Sequence, residues 1–346
     1  MRTLAALCAC LAAACSSTNN PIGDDDTPPG DDDDTPPADA PPSQQKRTRF
    51  IALGDAGKGN TTQRDVAIAM REVCAAKGCD FVLMLGDNIY DAGVDSVTDP
   101  QWQTKFEEPY HDIDLPFYVA LGNHDNGGNL IIDAPGIGNE FDKGKIEVDY
   151  TAVSTKWTMP ATHYTFSYAH VGFVVLDTNA LLWGNTKYGD QTAWMPQAMM
   201  EVSGKDWVFL AGHHPYRSNG THGNAGDYDA PELAGIPISN PIPIQNGDGL
   251  KDWFDANACG VADVFFAGHD HSRQWLDEPS ALCGTKLIVS GAGSSSTELR
   301  DRGNTALFED AEKAGFLWVE VDGNKFTGEF YDSTGHMDFA HSFTKN

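Results

Sequence analysis

The chain has 346 residues, is 40% hydrophobic and carries a formal net charge of −27. Its length and apolar content suffice for one large domain or two modest ones with a sizeable core, while the negative field excludes nucleic acid and anionic membrane surfaces as partners. Residues 1–46 hold −6 of that charge, eight Asp against Arg2 and Lys46, so −21 remains on the rest, and no protein partner is evident.

The chain opens with Arg2 and the apolar stretch "LAALCACLAAA", which is too short to span a bilayer and ends in small residues. Residues 1–15 therefore read as an export signal. "LAAAC" followed by "SSTNN" is similar to a bacterial lipoprotein signal, in which Cys15 carries the lipid and attaches the protein to a membrane; plain secretion with cleavage near Ala14 is the alternative. The expected location is periplasmic, on the cell surface, or secreted. Residues 16–46 form a Pro-rich and Asp-rich linker without an aromatic residue, a solvated tether. Its Asp runs lack the glycine and glutamate of a helix-loop-helix calcium site. Residues 47–346 are left for the folded domain, and no later segment is apolar enough to cross a membrane.

Along that domain, five β-prone apolar runs stop at a glycine and deliver Asp, Asn or His at once: "RFIALGDAG" (49–57), "DFVLMLGDN" (80–88), "PFYVALGNHD" (116–125), "DWVFLAGHHP" (206–215) and "VADVFFAGHDH" (261–271). Helical patterns lie between them. "NTTQRDVAIAMREVCAAKG" runs from an Asn cap to Gly78, and "TAWMPQAMMEVSGK" follows with its early part interrupted by Pro196. Alternation of strand and helix predicts an α/β fold with sites at the strand ends. After residue 285 strands and turns take over, and this tail is expected to supply a second sheet or its edge. Cys74 with Cys79 and Cys259 with Cys283 are the disulfides favoured by sequence proximity. A zinc site at Cys74 and Cys79 is the rival, but the spacings suit no common zinc module.

Glycine before each polar residue lets the backbone turn sharply beside a bound ion or phosphate. Carboxylate, amide and imidazole groups gathered at strand ends suit zinc, iron or manganese. Other motifs fail: "GDAGKGNTT" lacks the spacing of a phosphate loop, the His pairs are not on a helix with zinc-protease spacing, and there is no GxSxG elbow.

The order GDxG, GDxxY, GNHD, GHxP, GHDH resembles that of the calcineurin-like metallophosphoesterases. Its details resemble the purple acid phosphatases of the small, tartrate-resistant type, from Arg49 to the C terminus and including "DPQWQTKFEEPYHD", "STKWTMPATHYTF", "FVVLDTN" and "LIVSGAG". The resemblance implies a β-sandwich flanked by helices with a binuclear metal site at the strand C-terminal ends. One metal would be held by Asp55, Asp87, Tyr90 and His271, the second by Asp87, Asn123, His213 and His269, with Asp87 bridging. Many relatives outside the purple subgroup have a histidine where Gly57 stands, and Tyr90 fills that vacancy as a phenolate. The implied metals are ferric iron there and a divalent ion (Fe, Zn or Mn) at the second position.

The implied activity is acid phosphatase: hydrolysis of small phosphomonoesters by metal-bound hydroxide. His124 and His222 are the implied donors to the leaving oxygen, with Asp125 holding the His124 imidazole. Thr221 stands where mammalian-type enzymes tend to have an acid. The alternatives are phosphodiesterase or nucleotide hydrolysis at the same site, and a non-catalytic surface-binding protein with this fold. His214 is expected to pack beside the ligands and Asp177 to act as a scaffold. His111, His163, His170, His336 and His341 are expected at the surface or satisfied in the core, and Trp157, Trp194, Trp207, Trp253 and Trp275 in the core. The stretches "NLIIDAPGIGNEFDKGKIEVDY" and "GDYDAPELAGIPISNPIPIQNGDG" are expected to wall the mouth of the site.

Overall fold

The first strand, β1 (Arg47–Leu53), continues in parallel into β2 (Phe81–Leu85), β3 (Phe117–Ala120) and β4 (Trp157–Thr158). The structure is a computed structural model that describes residues 46–128, 135–228, 232–233, 236–237 and 246–345; the export segment, Cys15 and all of the linker except Lys46 lie outside the described residues. Next in the chain come β5 (Tyr164–Tyr168), β6 (Val171–Val175), β7 (Trp207–Ala211), a short hairpin of β8 (Glu232–Leu233) and β9 (Ile236–Pro237), β10 (Val264–Ala267), β11 (Arg273–Leu276), β12 (Lys286–Ser290) and β13 (Ala306–Asp310). Apart from the hairpin these form the second sheet, in the order β13-β11-β12-β10-β7-β6-β5.

The chain then returns to the first sheet. β14 (Gly315–Asp322) pairs antiparallel with β1, and β15 (Lys325–Asp332) and β16 (Met337–Thr344) extend it to the order β16-β15-β14-β1-β2-β3-β4. The tail after residue 285 thus does not form a sheet of its own but divides between both. β1 is almost entirely buried, and without β14 it would be an unpaired edge in the middle of the core.

The two sheets pack face to face through phenylalanines. Phe50 of β1 stacks on Phe81 of β2 at 5.1 Å and meets Phe173 and Phe266 of the other sheet edge-on at 5.5 and 5.7 Å. Burying each such ring is worth roughly 1.5–3 kcal/mol, whereas an exposed pair such as Lys145–Asp149 adds about 0–1 kcal/mol, so the aromatic interior decides the fold. Helix α1 (Thr61–Lys77) lies along β14 and β15. Asn60 Oδ1 caps it by accepting from the Gln63 N–H at 2.9 Å, and the Gly78 N–H closes it on Cys74 O. α2 (Phe141–Tyr150) follows β3, and α3 (Thr178–Leu182) starts at Asp177. α4 (Gln191–Val202) includes Pro196: Asp190 caps its first turn and Met195, Ala198 and Val202 bury its inner face, which together outweigh the missing N–H. α5 (Asp248–Asn257) precedes β10. Cys74–Cys79 and Cys259–Cys283 are disulfide-bonded as the sequence suggested.

Candidate metal centre

The C-terminal ends of β1, β2, β3, β7 and β10 converge. Asp55, Asp87 and His269 all take left-handed backbone there, with φ of 58°, 54° and 69°, a region that L side chains enter at a cost. Glycine is required where these turns touch: a Cβ on Gly122 would lie 2.2 Å from Asp87 Oδ1, and one on Gly268 would lie 2.7 Å from Asp55 Oδ2.

Each buried carboxylate uses one oxygen to fix the backbone and leaves the other for the site. Asp55 Oδ2 accepts from the His269 N–H at 2.8 Å, while Oδ1 lies 3.0 Å from Tyr90 Oη and 3.2 Å from His271 Nε2. Asp87 Oδ1 accepts from the His124 N–H at 2.9 Å, while Oδ2 lies 3.4 Å from His213 Nε2. Tyr90 Oη and His271 Nε2 are 2.9 Å apart, which closes a triangle of donor atoms with Asp55.

The second group gathers on His213, a fully buried residue. Its Nδ1–H donates to Leu85 O at 2.9 Å, so in the neutral ring Nε2 is a bare electron pair. That pair faces Asn123 Oδ1 at 3.0 Å, His269 Nδ1 at 3.1 Å and Asp87 Oδ2. Asn123 is turned this way because its Nδ2 donates to Gly136 O at 2.6 Å. Positive charge among these atoms, a proton on His213 Nε2 or a metal ion, relieves the repulsion of their electron pairs. Their spacing is that of ligand atoms around an ion with bonds of about 2.0–2.2 Å.

The electrostatics agree. Burial works against ionisation of Asp87, yet the His213 and His124 rings outweigh it and hold the carboxyl far below the carboxylate range; burial likewise opposes a charged His213, but Asp87 and Asp55 lift it to about 9. The site draws in a proton where no other cation is present. Burial, then Asp55 and Asp87, push the Tyr90 phenol well above its usual value, so only a strongly charged ion would make it a phenolate. Asp55, Asp87 and His213 together present ligand atoms within 4.8 Å of one another, a cluster able to hold a metal.

Around this centre one placement differs from the sequence expectation. Asp125 does not reach the His124 ring: its carboxylate turns inward to the N–H groups of Asn88, Ile89 and Gly122, and the His124 ring is held by Asp91 O, 2.6 Å from Nδ1. Adjacent residues in a tight turn point apart. His214 is buried beside His213 and His269, its ring 4.4 Å from that of His269. Thr178 Oγ1 accepts from the N–H groups of His213 and His214, so its own proton goes to His214 Nδ1. Asp177 caps α3 as a scaffold.

His111, His163, His170, His336 and His341 stay outside the cluster, and of the five tryptophans only Trp194 is half-exposed. Of the two stretches expected to wall the site, the first reaches it through Gly136, whose Cβ would lie 2.1 Å from His124 Nδ1, and most of the second lies outside the described residues. Sequence reading missed Asp270, between His269 and His271. It is fully buried and accepts from the backbone N–H groups of His222 at 2.6 Å and Gly223 at 3.2 Å.

The calcineurin-like phosphoesterase family matches residues 48–273. Tartrate-resistant acid phosphatase type 5 of Homo sapiens is 26% identical over 84% of this chain and 89% of its own length; purple acid phosphatase 4 of Arabidopsis thaliana is 25% identical over 85% and 83%. Among solved structures, purple acid phosphatase PPD1 from yellow lupin (Lupinus luteus) seeds superposes with a TM-score of 0.60 at 16% identity, covering 87% of this chain and 54% of the lupin chain. GAP50, the anchor in the inner membrane complex of Plasmodium, gives the same score at 20% identity, covering 87% and 89%.

Proposed function

We infer the activity from one premise: the chain belongs to the calcineurin-like phosphoesterase family. The reading is an exported acid phosphatase that hydrolyses small phosphomonoesters at two adjacent metal positions. Asp55, Asp87, Tyr90 and His271 would hold ferric iron, and Asp87, Asn123, His213 and His269 a divalent Fe, Zn or Mn ion. His213 carries the reading, since its Nε2 lies 3.0 Å from Asn123 Oδ1, 3.1 Å from His269 Nδ1 and 3.4 Å from Asp87 Oδ2, a convergence of donor atoms with metal-ligand spacing. Bound cations supply Lewis acidity toward the phosphoryl oxygens and an acidified water as nucleophile.

The chain's own residues orient the ester and handle the proton. His124 donates through Nδ1 to Asp91 O, which leaves Nε2, 3.9 Å from Asp87 Oδ2, for the site. His222 stacks on His269 with ring centroids 4.2 Å apart. Burial lowers the pKa of His222, with Asp270 opposing and His271 adding to the effect. Its proton is therefore given up more readily than that of an ordinary histidine, which suits a donor to the leaving oxygen. Two disulfides favour an oxidising compartment, and a lipid on Cys15 is part of the proposal. The likeness to GAP50 is one of fold, and competent residues at all seven ligand positions oppose a non-catalytic reading.

Metal analysis combined with hydrolysis of an aryl monoester, a bis-aryl diester and nucleotides tests this function. Two metals per chain and dominant monoesterase turnover at acid pH are expected. A metal-loaded but inert protein would move the reading to binding, and dominant diester or nucleotide turnover to those classes.

A further inference from the structure

Lys58 has no part in the function proposed above. Its Nζ donates to Ser295 Oγ at 2.8 Å and lies 5.2 Å from the centroid of the Tyr90 ring. Ser295 Oγ is in turn 3.1 Å from His271 Nδ1. An ammonium only donates, so the serine oxygen accepts a hydrogen bond from Lys58. With His271 Nε2 turned to the metal position, the ring proton sits on Nδ1 and donates to the same oxygen. Among the described residues Lys58 forms no ion pair with a carboxylate.

Lys58 thus meets two groups assigned to one metal position: Tyr90 directly, and His271 through Ser295. A metal-binding histidine commonly donates its far N–H to a carboxylate or carbonyl, which makes the ring a stronger electron donor. A hydroxyl already engaged by an ammonium does the reverse. A cation near the aromatic ring also draws on its electrons. Both routes leave the same position poorer in electrons and so disfavour the higher oxidation state of an ion held there.

We infer that Lys58 is a tuning residue that raises the reduction potential of iron held by Tyr90 and His271, acting through Ser295 and the Tyr90 ring. This rests on the metal reading proposed above. The test loads the full chain with ferric iron and follows reductive titration by the visible band, with iron content measured in parallel. Lys58→Met is expected to keep its iron and to shift the ferric-to-ferrous affinity ratio about tenfold toward ferric, which for a one-electron couple is about 59 mV downward. Lys58→Arg should hold the wild-type midpoint, and Ser295→Ala should give part of the shift. Equal midpoints in wild type and Lys58→Met, with the band intact, overturn this inference alone. A wild type that takes up iron without a visible band removes Tyr90 from the iron, and the inference falls together with the metal reading.

Discussion

The backbone N–H of His222 donates to Asp270 Oδ1 at 2.6 Å, which ties the loop of the proposed proton donor to the residue between His269 and His271. Arg302 secures the same loop by donating to Thr221 O at 2.6 Å. His222→Ala should leave metal content unchanged and slow alkyl phosphates more than aryl phosphates, whose better leaving groups need less protonation. Asp270→Ala, which frees the loop, should show the same leaving-group bias. In wild type, alkyl turnover should fall as pH rises through a value below the ordinary histidine range, and His222→Ala should lose that limb. Equal losses on both substrates would count against the donor.

Asp87→Ala removes the one carboxylate shared by both proposed positions. Metal analysis should show both ions depleted, by more than the roughly 10- to 100-fold that follows loss of a residue which merely orients a ligand. Normal stoichiometry in that variant would sink the bridging assignment.

Tyr90→Phe keeps a buried ring and deletes only the oxygen that faces Asp55 and His271. The iron-loaded wild type should be coloured by charge transfer from the phenolate. The variant should be colourless with reduced iron, while its thermal unfolding changes little because the aromatic packing remains. A variant with full colour and full iron would require another group on the ferric ion.

Asp177 gives a stability test away from the metal positions. Burial raises its carboxyl to about 7, with backbone N–H groups of Ala180 and Asn179 opposing and Asp125 adding. A carboxyl raised on folding takes up a proton between the unfolded value near 4 and about 7, so its contribution to stability falls as pH rises through that window. The shift bounds the loss at about 4 kcal/mol. Asp177→Asn keeps a cap oxygen for the Ala180 N–H but cannot ionise. Denaturation at pH 5 and pH 8 should show wild type losing stability relative to this variant; parallel curves would contradict it.

What the sequence disclosed and what it hid differ in range. Asp55, Asp87, Asn123, His213 and His269 each follow an apolar strand and its glycine, so local pattern alone puts them at strand ends, and the sheet order brings those ends together. The partners that orient them were not visible. Asn123 is turned by Gly136 from an irregular stretch, His271 meets Ser295 across another loop, and Asp270 holds a loop some fifty residues earlier in the chain. Side-chain direction within a turn was equally hidden: adjacency suggested Asp125 for the His124 ring, and Asp91 O holds it. The destination of the tail was out of reach because β14 finds β1 across most of the chain, where no periodicity operates.

That last pairing bears on how the molecule is made. Every proposed ligand has been synthesised once His271 leaves the ribosome, yet β1, which delivers Asp55, is then still missing its neighbour β14. Long-range closure is slow because chain entropy is lost before the contact rewards it. A chain ended near residue 310 would contain all seven ligand residues and still expose an apolar β1 edge. Such a product should aggregate during biosynthesis, so the centre is secured only once the last strands are complete.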